Sequence, residues 1–280
     1  FDNPFSRKVV KKSNYDSGLV PSPKKKSWLA EGIFFFWCGA QRIYNWLLDI
    51  IFPKICLGCG KFTAAGDFDY VCGKCFGEVE LKNTLECIGC KRETKFGLTC
   101  AFCLKDNPTD QLIIAAELSD LLIDKMIKAY KYKFISVLSE PLSTIAKKSI
   151  KKLLHKGFNL FDGNPLLIVV PLHRARFNER GFNQSWLIAK EIADTFHISS
   201  DENVLSKKYN FKHQADTKSR EERLNNVRGN FAVVNAEVVK NRTIILVDDI
   251  CTTGATLNEC ARVLKESGAK RVIGFVIARG

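Results

Sequence analysis

From residue 111 onward, short apolar runs alternate with longer mixed segments. QLIIAAEL (111–118), LLIVVPL (166–172), TIILVDD (243–249) and RVIGFVIAR (271–279) are nearly continuous aliphatic stretches, as expected of strands buried on both faces. LLIDKMIKAYKYKF (121–134) and residues 137–155, 184–195 and 256–267 read as the intervening helices, and AVV (232–234) as a further strand-like run. Strands alternating with helices predict an α/β fold with a parallel sheet covered on both faces. PLHRARFNERGFNQS (171–185) is expected to be a loop that begins where Pro171 stops a strand. Upstream, Ile43, Trp46, Leu47, Ile50 and Ile51 repeat at helical spacing. Residues 27–54 therefore read as an aromatic, amphipathic extension, which suits packing on the following domain better than lying on a membrane surface. Residues 1–26 carry seven Lys/Arg against two Asp and read as a disordered basic tail with no signal peptide. The longest apolar stretch, residues 33–51, is broken by Gln41, Arg42, Asn45 and Asp49, so no spanning helix is expected.

Composition adds one fact to this picture. Hydrophobic content of 46% and charged content of 26% are ordinary, but the net charge is +13. Such a balance favours polyanionic partners, although a lysine-rich composition alone would produce it. Lys125, Lys128, Lys131 and Lys133, on the helix after the first strand, are candidate nucleic-acid contacts.

Eight of the eleven cysteines fall in one window as CxxC pairs: Cys56/Cys59, Cys72/Cys75, Cys87/Cys90 and Cys100/Cys103. Paired thiolates on tight turns are metal ligands in a reducing compartment, so the expected location is cytoplasmic. Eight ligands predict two structural Zn²⁺ sites over residues 55–106, with consecutive and cross-braced pairings equally compatible with the spacing. Redox pairs lack a thioredoxin-like context here, and iron–sulfur binding is the minor alternative. So short a segment needs such staples to fold.

Residues 243–256, TIILVDDICTTGAT, are the most informative. A buried strand ends in Asp248 and Asp249, and a hydroxyl-rich turn follows before a helix. At the carboxyl end of a parallel strand, the amides and the Thr252, Thr253 and Thr256 hydroxyls can surround a phosphate at the helix N-terminus. The carboxylates can accept hydrogen bonds from two sugar hydroxyls, so a sugar phosphate fits. No Lys follows Gly254, which excludes a Walker loop. A response-regulator-like metal site would leave the Thr-rich turn without a role. Arg174, Arg176 and Arg180 are expected at the same edge and suit a diphosphate. His173 is equally a ligand, an acid/base or a structural residue.

The motif at 243–256 resembles the diphosphosugar signature of type I phosphoribosyltransferases. With FPKICLGCG, the paired cysteines, PLHRARFNERGFNQS, Q-x8-R-x-N-N-V-R-G-N-F and LVDDICTTGATLNEC in order, residues 47–280 resemble the ComF family of competence proteins. Residues 1–46 lie outside the resemblance, and the family more often has a second Pro two residues before Pro171. The resemblance implies a type I phosphoribosyltransferase-like domain (residues 110–280) behind a zinc-ribbon region. It implies 5-phosphoribosyl diphosphate bound by Asp248, Asp249, Cys251, Thr252, Thr253, Gly254, Ala255, Thr256, Arg174 and Arg180, with Mg²⁺ on the diphosphate. Asp248 and Asp249 would be the catalytic pair, and Gly181, Phe182, Asn183, Gln184, Gln214, Arg223 and Asn225 also match family positions. The biological expectation is handling of incoming single-stranded DNA in natural transformation, beside a helicase-type competence protein. The other class of function is a non-catalytic module that binds single-stranded DNA or a partner. There, basic surfaces and aromatics such as Phe62, Phe68, Tyr70 and Phe102 would do the binding.

Overall fold

The computed structural model describes residues 53–208 and 227–280. The basic tail, nearly all of the aromatic extension, and Gln214, Arg220, Arg223, Asn225 and Asn226 lie outside the described residues.

The apolar runs form a five-stranded sheet: β1 (Gln111–Glu117), β2 (Leu166–Val169), β3 (Ser199–Asp201), β6 (Thr243–Cys251) and β7 (Arg271–Arg279). Every pairing is parallel, in the order β1-β7-β6-β2-β3. β4 (Leu205–Lys207) and β5 (Phe231–Val233) make a separate antiparallel ribbon. β3 and β4 carry no strong apolar signal because they are short and partly exposed.

Helices α2 (Leu121–Tyr132), α3 (Ser139–His155), α5 (Gln184–Phe196) and α6 (Ala255–Glu266) match the periodic segments. α3 buries Leu142, Ile145, Ala146, Ser149, Ile150 and Leu153, one face at helical spacing. α2 starts where the Asp120 carboxylate accepts from the Leu122 and Ile123 amides. It then crosses above the sheet, since its last turn meets Gln184 and Asp249 at the carboxyl edge.

The 171–185 segment is not a plain loop. It holds a short helix, α4 (Arg174–Arg180), that buries none of its residues and so leaves no apolar period to read. Gly181 (φ 76°) ends it in the left-handed region, its amide donating to the Phe177 carbonyl.

The Cys-rich region, with α1 (Gly73–Gly77), belongs to one unit with the sheet, Lys54–Gly280. It covers the outer edge of β1: Lys82 N donates to the Ala115 carbonyl, and bridges join Leu81 to Ala116 and Leu98 to Gln111. Gly97 (φ 77°) passes so close to the Leu112 carbonyl oxygen that a Cβ would collide with it. Among the described residues, no helix is long and apolar enough to cross a membrane.

Gly97→Ala therefore adds a collision with fixed backbone to an unfavourable φ. It is expected to destabilise the protein by more than about 2 kcal/mol in denaturant titration; a loss under half of that would contradict this packing.

Candidate functional site

β6 lies between β7 and β2, so its carboxyl end opens at the middle of the sheet edge. Asp249 there is only 5% exposed, and Asp248 is partly buried. Two neighbouring carboxylates out of water need compensation. Lys131, from the last turn of α2, places its Nζ 2.7 Å from Asp249 Oδ1. Asp248 Oδ1 accepts from the Ser185 hydroxyl (3.1 Å) and from the Asp249 amide (2.9 Å). Burial, and then the charge on Asp249, still push the Asp248 carboxyl up to about 7.

After β6 the chain turns through Thr252 and Thr253 to Gly254 (φ 81°), which starts α6. Thr252 is exposed, and Thr253 Oγ1 accepts from the Ala255 amide at 3.3 Å. The turn and the first amides of this twelve-residue helix form a cradle for an anion. The Cys251 side chain is 2% exposed, and burial pushes its thiol up to about 11. Only its backbone can therefore serve the cradle.

The start of α5 is clamped to the same edge. Asn183 accepts from the Ser185 amide and donates to the Val170 carbonyl, and Arg180 donates to the Gln184 side chain at 3.0 Å. Arg174 is exposed on α4. His173 caps that helix: its Nδ1 accepts from the Ala175 amide, which is a structural role.

The sequence pattern had no signal for Lys207. On β4, its ammonium stands 5.4 Å from the Phe231 ring centroid. Burial, and then the Arg176 charge, lower its pKa, while the Cys260 and Asp248 charges act to raise it. Arg176 thus joins Lys207 and Asp248 in one electrostatic neighbourhood.

The four candidate nucleic-acid lysines do not share one face. Lys131 turns into the site to neutralise Asp249, because α2 runs across the sheet edge. Lys125 donates to the Leu57 carbonyl and Lys128 pairs with Asp124. With Lys133 and the 71%-exposed Tyr132, these two line a cavity of about 480 Å³ beside Leu57.

The cysteines resolve into consecutive tetrads, Cys56, Cys59, Cys72, Cys75 and Cys87, Cys90, Cys100, Cys103; within each, all sulfurs lie within 4.8 Å of one another. Cys59–Cys72, Cys87–Cys100 and Cys90–Cys100 are each 3.8 Å apart. A tetrahedron with bonds of about 2.3 Å has edges of about 3.8 Å, so both tetrads could hold zinc. Backbone amides of Cys72, Cys75 and Cys100 point at sulfurs, as thiolates require. Gly58 and Gly89 let the turns pass: a Cβ would lie 2.9 Å from Cys75 Sγ and 2.7 Å from Cys103 Sγ.

Residues 183–280 match the phosphoribosyl transferase domain family. Competence protein F of Haemophilus influenzae is 24% identical over 230 residues, covering 76% of this chain and 98% of that protein. Competence protein ComFC of Streptococcus pneumoniae is 30% identical over 150 residues, 54% of this chain and 60% of that protein. The chain is similar to competence proteins of the ComF family. DNA utilization protein YhgH of Escherichia coli K12 is 28% identical over 233 residues, 81% of this chain and 97% of that protein. The fold is thus the type I phosphoribosyltransferase-like sheet, with two four-cysteine groups before it.

Two outcomes follow from these geometries. The folded-state pKa of Asp248 lies above the ordinary 3.8. Its contribution to stability is therefore present below about pH 4 and lost as pH rises through about 7. Asp248→Asn, whose amide oxygen can keep both accepted bonds, is expected to raise the unliganded Tm at pH 8 by about 5 °C. That gain should shrink between pH 7 and pH 5; a gain independent of pH would refute the buried-carboxylate assignment. Metal analysis of purified protein should return close to two zinc ions per chain, and chelation should open residues 56–103 before the sheet in hydrogen exchange. Zinc-free protein with full protection there would overturn the metal assignment.

Proposed function

We propose that the carboxyl edge binds 5-phosphoribosyl diphosphate and that the chain acts in natural transformation, handling incoming single-stranded DNA in the cytoplasm. One observation carries the ligand reading: Asp248 and Asp249 stand directly before the Thr252–Thr256 cradle at the N-terminus of α6. The carboxylates would accept from the two ribose hydroxyls and the cradle would take the 5-phosphate. Arg174, Arg180 and the neighbouring Arg176 are the donors for the diphosphate. A magnesium ion accompanying the ligand would supply charge neutralisation there. The role in transformation takes support from relatives whose names are competence protein and DNA utilization protein.

If transfer occurs, an acceptor forms a bond to ribose C1 while the C1–oxygen bond to diphosphate breaks and the leaving group keeps the electron pair. Asp248 and Asp249 would hold the ribose beside the developing positive charge, and the arginines would meet the charge on the departing diphosphate.

A second reading has its own support. Tyr132 is exposed among Lys125, Lys128 and Lys133 over an open cavity, and Phe62 and Phe102 are 72% and 80% exposed on the Cys-rich region. Cations beside exposed rings suit single-stranded DNA or a helicase-type partner. On this reading the sheet serves as scaffold, and DNA affinity should fall steeply with salt.

Calorimetry with 5-phosphoribosyl diphosphate, with and without Mg²⁺, separates the two. The expected result is Mg-dependent binding by the wild type and at least about a hundredfold loss in Asp248→Asn/Asp249→Asn, since each charged hydrogen bond contributes about 1.5–3 kcal/mol. A folded, zinc-loaded wild type that binds none would leave DNA binding as the function.

A further inference from the structure

We infer that the phosphate cradle is one half of its site, and that the second cysteine knuckle supplies the other half, with Lys91 as the cation that meets the ligand's phosphate monoester. This rests on the diphosphosugar reading and adds to it a residue from outside the phosphoribosyltransferase-like domain.

A cavity of about 440 Å³ separates the knuckle from the cradle. Gly89 and Lys91 line it on one side, Thr252 and Thr253 on the other, with Arg279 and Gly280 between. Lys91 sits at the tip of the knuckle in the left-handed region (φ 60°), its amide donating to the Cys87 carbonyl. Its Nζ donates to the Gly280 carbonyl at 3.0 Å, and the Gly280 amide donates to the Cys251 carbonyl at 2.9 Å. Two hydrogen bonds thus tie the ammonium to Cys251, the residue just before the cradle. An ammonium has three N–H donors, so two remain for phosphate oxygens.

Arg279 gives an independent indication. Its side chain is 4% exposed and pairs with Glu86 at 3.0 Å, and its terminal nitrogens donate to the Cys87 and Ile88 carbonyls. A further donor, Nε–H, is buried with no hydrogen-bond partner among the described residues. Arg279 thus carries a guanidinium donor left unmatched by the fold, in a residue that lines the cavity.

The cradle itself offers amides and hydroxyls but no cation. A phosphate dianion leaving water there needs countercharge, and the knuckle provides it. The two halves are also locked in register. A Cβ on Gly254 would lie 2.8 Å from Ile88 Cγ1. Asn258 Nδ2 donates to Asn107 Oδ1 at 2.7 Å, and Asn107 Nδ2 to the Cys103 carbonyl at 2.8 Å. Buried amides therefore run from the first turn of α6 to a cysteine of the second tetrad. The ligand class is a pentose carrying a 5-phosphate, with or without a 1-diphosphate.

The test uses the full zinc-loaded chain, with ribose 5-phosphate and 5-phosphoribosyl diphosphate titrated by calorimetry into wild type, Lys91→Gln and Lys91→Arg. Lys91→Gln should weaken both ligands about tenfold or more, with zinc content and Tm unchanged, and Lys91→Arg should recover most of the affinity. Wild-type affinity in Lys91→Gln would overturn the proposal while leaving the diphosphosugar site standing. Failure of the wild type to bind either ligand would remove both. A loss of affinity accompanied by loss of zinc would assign Lys91 to the fold of the knuckle and also overturn it.

Discussion

Asp248 and Asp249 repel one another and have lost much of their water, and the ladder to β7 prevents β6 from moving them apart. The surrounding edge is arranged around that conflict. α2 gives up the usual descent along the sheet so that Lys131 can reach Asp249. α5 begins where the Ser185 hydroxyl can donate to Asp248, and Asn183 fixes that beginning to the end of β2. The compensation is incomplete, and an incompletely neutralised acidic pair is well suited to donors brought by a ligand. Hydroxyls or a cation would find acceptors that no folding contact has fully satisfied.

The Cys-rich region is joined to this edge more closely than an appended finger would be. Arg279, at the last position of β7, reaches back to the carbonyls of Cys87 and Ile88. A buried arginine is tolerated there because Glu86 and two carbonyls meet it. Lys265 and the Val272 amide both engage Asp110, so the segment leading from the cysteines into β1 is held by α6 and β7 together. The cysteine tetrads and the shape of the sheet edge are therefore parts of one mechanical unit.

Legibility followed burial. β1, β6 and β7 were readable because strands covered on both faces must be continuously apolar, and α3 and α6 because one face must be. The acidic pair stood out as two charges closing such a run. α4 escaped because a helix that buries nothing needs no period, and β3 because a short, partly exposed edge strand accepts Ser and Asp. Spacing counted two metal sites but left their pairing open; the folded chain gathers the sulfurs as consecutive tetrads. Lys131 looked like its neighbours on a basic helix, and only the path of α2 distinguishes it. Lys91, Lys207 and Arg279 matter through contacts distant in sequence, which no local pattern records.

β1 is the outermost strand on its side of the sheet, continuously apolar and without a charged residue between Gln111 and Glu117. What covers its open edge is not another strand but the cysteine-stapled chain, through Lys82, Leu81 and Leu98. A staple that depends on thiolates is a conditional cover. Oxidation or metal starvation would bare a ready template for strand addition, and such chains would meet one another edge to edge. If the tetrads hold zinc, the metal guards this edge against self-association as well as shaping the fold.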